Sequence, residues 1–174
     1  MSTVEMIIGK LFLGIVFASS LFWLETTHAA GQDRSRPTFG ELSSKDVARL
    51  DRQRAVVSTA VKQRYGAELT RTQKDLPTLQ KLIDDSAFTK HQTYELQSLG
   101  VAFGDVLASA LPLRWVMVTD EYGTDPTLRY NGTSLSVNAL TMISKRVEKG
   151  QRVSLSDLLK ATKEQLASVE KNAH

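Results

Sequence analysis

The order of patterns along this chain predicts an α+β domain. Helical stripes come first, strand-like runs follow between residues 113 and 140, and helical stripes return afterwards. Blocks of this kind, without strand–helix alternation, pack helices on an antiparallel sheet. A second observation is HQTYELQSLGVAFGDVLASALP, residues 91–112, in which Leu96, Leu99, Phe103, Val106, Leu107 and Ala110 share one stripe. A third is Asn131-Gly132 between two strand-like runs, a hairpin signal because both residues accept positive φ.

Taken in order, residues 1–29 read as an export signal. Lys10 precedes an apolar run from Leu11 to Leu24, and small residues Ala29 and Ala30 supply the exit. Met6 is an alternative start, since it would leave no acidic residue before the run. The rival reading is a retained inner-membrane anchor. The run after Lys10 falls short of the roughly 20 residues that span a bilayer, which favours cleavage. Residues 30–42 read as a flexible polar linker with Pro37.

A helical segment is expected over 43–87. Ser43 and Asp46 have capping-box spacing. Val47, Leu50, Val57, Val61 and Tyr65 then recur at helical intervals, Arg54 interrupts the stripe, and Gly66 supplies the stop. A shorter helix starts near Asp75, with Pro77 in its first turn and Leu79, Leu82 and Ile83 buried.

Residues 88–172 read as an α+β domain: helix, three-stranded antiparallel meander, helix, helix. In the first of these helices, Gly100 and Gly104 imply close approach of another backbone, read as tight packing on a sheet. Pro112 ends it. LRWVMVTDEYG alternates with apolar residues on both faces, which makes it a central strand. TLRY and TSLSVNAL are the other two strands, joined at Asn131-Gly132 by a two-residue turn. Ser144 to Lys149 is helical and stops at Gly150, and Ser154 with Asp157 opens the last helix.

Composition excludes several chemistries. The chain has no cysteine and three histidines, so thiol catalysis, iron–sulfur clusters and cysteine-bound zinc are ruled out. Histidine-cluster metal sites and histidine triads are disfavoured for the same reason. The net charge of +3 is too small for a nucleic-acid footprint. No cofactor is expected. An exported domain without disulfides must rely on its core.

Three phrases, ELQSLGVAFGDVLA, WVMVTDEYGTDPTLRY and TMISKRVEKG, resemble a bacterial family known as domain of unknown function 3806. The resemblance covers about residues 88–160. It implies a compact bacterial module, often alone behind a signal sequence, and it implies no established activity.

DEYGTDPTLRYNGT, residues 120–133, concentrates polar side chains: Asp120, Glu121, Tyr122, Asp125, Arg129 and Tyr130. As an enzyme site, Asp120 with Asp125, or one of them with Asp105, would divide acid and base roles. Arg129 would hold a substrate carboxylate or phosphate. Yet Asp120 and Glu121 are adjacent and point to opposite faces of a strand. Calcium is disfavoured because the spacing misses the calcium-loop pattern. The plainer reading is structural: Asp125-Pro126 starts a turn, Arg129 pairs with Asp120 or Glu121 across the sheet, and both tyrosines cap the core. Asp105 is expected in solvent, with an ion pair to Lys145 or Arg146 as the next choice. Lys145, Arg146, Lys149 and Arg152 complement a helix end. The resulting expectation is a periplasmic or secreted, non-enzymatic module that binds another protein, with a homo-oligomer as an open option. The alternative is a carboxylate-based hydrolase acting on an envelope polymer.

Overall fold

The computed structural model describes residues 37–172. The segment read as an export signal lies outside the described residues. In chain order the elements are β1 (Thr38–Gly40), α1 (Ser44–Tyr65), a 3₁₀ turn (Gln73–Asp75), α2 (Leu76–Asp84), α3 (Thr93–Ala110), β2 (Leu113–Asp120), β3 (Gly123–Tyr130), β4 (Ser136–Val137), α4 (Ala139–Met142), α5 (Ser144–Glu148) and α6 (Leu155–Asn172). The class is α+β, as the block order predicts.

Local chemistry sets the helix ends. At the start of α1, Ser43 and Asp46 form the full reciprocal capping box. At its end Gly66 takes the left-handed conformation with φ 63°, which costs a residue without a Cβ nothing. Leu111 precedes Pro112 and is extended, so α3 stops where the proline forbids helix. Ser154 Oγ accepts the Asp157 N–H at 3.3 Å at the head of α6.

The helix α3 is the hub of the molecule. It contacts α1, α2, α4, α5 and β2. Nearly every residue from Leu96 to Leu107 is buried, which a helix tolerates only when it is packed on all sides. Phe103, Val106 and Leu107 meet Val57 and Val61 of α1, Leu79 and Leu82 of α2, and Leu128 and Tyr130 of β3 in one core. The two interior glycines serve this packing. A Cβ on Gly100 would lie 2.5 Å from the Leu140 carbonyl oxygen of α4. One on Gly104 would enter the Trp115 ring of β2. The close approach is therefore to the sheet at Gly104 and to a helix backbone at Gly100. Gln80 of α2 ties down α6: its amide donates to the Val153 carbonyl at 3.0 Å and accepts from the Leu155 N–H at 2.9 Å.

The sheet has four antiparallel strands in the order β1-β2-β3-β4, where three were expected. The extra strand comes from the segment read as a flexible linker. Thr38, Phe39 and Gly40 pair with Thr119, Val118 and Met117. This pairing makes β2 central, as its two apolar faces predict. The two-residue hairpin lies elsewhere than expected. Asp120 pairs with Gly123, so Glu121 and Tyr122 form the tight turn. Asn131 and Gly132 do take positive φ, 41° and 72°. They turn inside a wider loop, with Tyr130 N–H bonded to the Leu135 carbonyl. The Asp125-Pro126 turn is also corrected, since both residues lie within β3. Pro126 is tolerated because β4 pairs only at Leu128 and Arg129, which leaves β3 an edge strand at the proline.

Candidate functional site

The polar stretch from Asp120 to Tyr130 is spread along one hairpin. At its tip the Asp120 carboxylate accepts the Tyr122 N–H at 2.8 Å, a local bond that fixes the turn. The Thr119 and Thr124 hydroxyls are 2.9 Å apart and close the strands below it. Glu121 is exposed, and Tyr122 projects with 89% of its surface in solvent. Asp125 turns toward α1 and meets Arg49 at 3.2 Å.

Arg129 sits at the other end of β3, about 20 Å of strand from the tip. The expected pairing of Arg129 with Asp120 or Glu121 is therefore not made. Its register partner is Arg114, a like charge. The two arginines are accommodated by separate neighbours. Arg114 meets Glu41 at 2.8 Å. Arg129 donates to the Thr133 and Gly132 carbonyls at 2.6 and 2.5 Å and lies 4.4 Å from the Phe39 ring centroid. Tyr130 is 4% exposed and belongs to the core. The six residues thus form three groups: a tip of Asp120, Glu121 and Tyr122, an ion pair through Asp125, and structural positions at Arg129 and Tyr130.

Asp105 requires a correction. It is 8% exposed, not in solvent, and neither Lys145 nor Arg146 reaches it. Arg54 grips it with two charge-assisted bonds, Nε to Oδ2 and Nη2 to Oδ1, both 2.7 Å. Trp115 Nε1 adds a third at 2.9 Å, to Oδ1. Arg54 also reaches Asp51 at 2.9 Å. The hydrogen bonds that Arg54 donates to Asp105 are the main reason that it holds its proton above the ordinary arginine pKa. Lys145 is exposed, and Arg146 donates to the Met142 carbonyl at 2.6 Å. A signal for the buried pair existed in the chain. Arg54 breaks an apolar stripe and Asp105 sits in an apolar helix, and neither charge is buried cheaply alone.

The arrangement sets what the groups can do. The tip carboxylates of Asp120 and Glu121 lie exposed at the surface. The Asp105 carboxylate is neutralised by Arg54 and triply bonded, which suits it to joining α1, α3 and β2. Among the described residues, no three His, Cys, Asp or Glu side chains gather as metal ligands. No described helix is long and apolar enough to cross a membrane.

Comparison with known proteins adds fold and family. A crystal structure of a protein from Bacteroides thetaiotaomicron VPI-5482 superposes with a TM-score of 0.68 at 16% identity, covering 75% of this chain and 48% of that one. At that identity the likeness speaks for the fold alone, and this chain matches about half of the longer relative. No curated protein matches the sequence. The model of the family described as Domain of unknown function (DUF3806) matches residues 75–158, from the α2 cap through the sheet to the first turn of α6. The sequence resemblance placed its start later, in the loop before α3. The match supports, over residues 75–158, the DUF3806 resemblance carried by the sequence phrases.

Proposed function

We propose that this chain is an exported, non-enzymatic module that binds another protein through the tip of the β2–β3 hairpin. The observation that carries the reading is Tyr122. A large aromatic side chain 89% exposed, on a turn locked by Asp120, is costly to display and is the residue type that anchors interfaces. Asp120 and Glu121 flank it and favour a partner with a basic rim. Export is supported by the Lys10–Ala30 pattern.

The test replaces Tyr122 by a photo-crosslinking amino acid in the cell that makes the protein, with Tyr94 as the control position because it is also exposed, at 48%. A discrete adduct at position 122, absent at 94 and weakened by Glu121→Lys, supports the reading. An adduct of two copies of this chain would name the partner as itself. The same adducts at both positions, or none at 122, refute it. Turnover of an envelope polymer abolished by Asp120→Asn would instead establish the hydrolase.

A further inference from the structure

Beside the Arg54–Asp105 pair lies a cavity of about 110 Å³, lined by Arg54, Ser58, Arg71, Asp75, Ala102 and Asp105 among others. A cavity of roughly 150 Å³ admits benzene, so this one suits a ligand of a few heavy atoms. Its hydrogen-bond inventory is lopsided. The buried acceptors are already occupied. Asp105 takes three bonds from Arg54 and Trp115. Asp75, 5% exposed, takes the Thr70 N–H at 2.9 and 3.0 Å and the Thr70 hydroxyl at 2.9 Å. The donors are not. Arg71 and Ser58 are both exposed, and among the described residues neither the guanidinium nor the hydroxyl has a protein hydrogen-bond partner, nor Arg71 an ion pair, so both are open to a ligand from solvent.

Arg71 is also held in an unusual backbone state, with φ 58°, a region that non-glycine residues rarely adopt. The Thr70–Asp75 bonds on one side and the Thr72 cap of the 3₁₀ turn on the other fix the loop around it. A five-donor side chain is thus placed at the mouth of a small polar cavity, with its own partners absent.

We propose that this cavity binds a small oxyanion, a carboxylate or a phosphate group, received by Arg71 with help from Ser58 and the remaining N–H groups of Arg54. The inference is independent of the hairpin tip. Asp75 shares the lining, so its carboxylate opposes an anion and would favour a cation, while its bonds to Thr70 hold the loop that presents Arg71.

The test is an amide NMR titration of the full chain with sodium acetate and, separately, with inorganic phosphate at constant ionic strength. Saturable shifts at Ser58, Arg71 and Ala102 are expected with at least one of them, and which anion saturates identifies carboxylate or phosphoryl chemistry. Arg71→Gly relieves the left-handed backbone and so keeps the fold. It should weaken binding by roughly tenfold or more. No saturable shift with either anion, or an unchanged Kd in Arg71→Gly, overturns the proposal.

Discussion

Asp105 is a nearly buried carboxylate whose hydrogen-bond partners come from two other elements, α1 and β2. Its negative charge is tolerable at 8% exposure because Arg54 and Trp115 supply three donors. Asp105→Asn would leave Arg54, whose side chain is 15% exposed, with a weakened partner. The expected loss is about 3 kcal/mol in urea unfolding. Replacing both charges, Arg54→Met with Asp105→Leu, should cost less than Asp105→Asn alone, because no orphaned charge remains. A double variant that is the less stable of the two would show that the pair is net stabilising. Asp46 makes a smaller and pH-dependent contribution. The Ser43 hydroxyl, at 2.6 Å, is the main cause holding its carboxyl below the ordinary 3.8, with the Ser43 N–H next. A lowered native pKa means that the cap's contribution is complete above pH 3.8 and is lost as pH falls through the lower native value. Ser43→Ala should move the Asp46 pKa up toward 3.8 in a carboxyl NMR titration. An unmoved value would mean that the hydroxyl is not the cause.

At the scale of elements, the approach of α3 to α4 is decided by one missing methyl group. Gly100→Ala gains about 1 kcal/mol of helix propensity. Against that, the new Cβ would meet the Leu140 and Ala139 carbonyl oxygens at 2.5 and 2.6 Å, and backbone cannot swing aside as a side chain can. A net loss of about 2 kcal/mol is expected in thermal or urea unfolding. Unchanged stability would mean that α4 yields without cost. The glycine pair was legible in the sequence as a site of close approach. Which element approaches was not, because α4 occupies residues that alternate like a strand, and only the Asn138 cap and the short β4 turn them into helix.

Across the whole molecule, the family segment from 75 to 158 does not contain all of its own core. Val57 and Val61 of α1 close one side of α3, and β1 covers the edge of β2. Three long-range ion pairs run from this leading segment to the rest: Glu41 to Arg114, Arg49 to Asp125 and Arg54 to Asp105. A fragment of residues 75–172 should therefore unfold without a cooperative transition and bind a hydrophobic dye, whereas 37–172 should unfold cooperatively. Cooperative unfolding of the shorter fragment would make α1 and β1 an accessory layer.

Within the described residues, the ends of α1, the stop of α3, the head of α6, the central place of β2, the stripe of α3 and the α+β class were readable from the chain. Each rests on backbone and side-chain preferences that act within one or two turns of a residue, so neighbours in sequence suffice. The fate of Asp105 and Arg129, the capture of Thr38–Gly40 by the sheet, and the cavity at Arg71 were decided only in three dimensions. Arg54 and Asp105 lie 51 residues apart, and nothing local selects that pairing over a solvated aspartate. The selection is made when α1 docks on α3, where leaving either charge alone out of water costs more than bringing the two together.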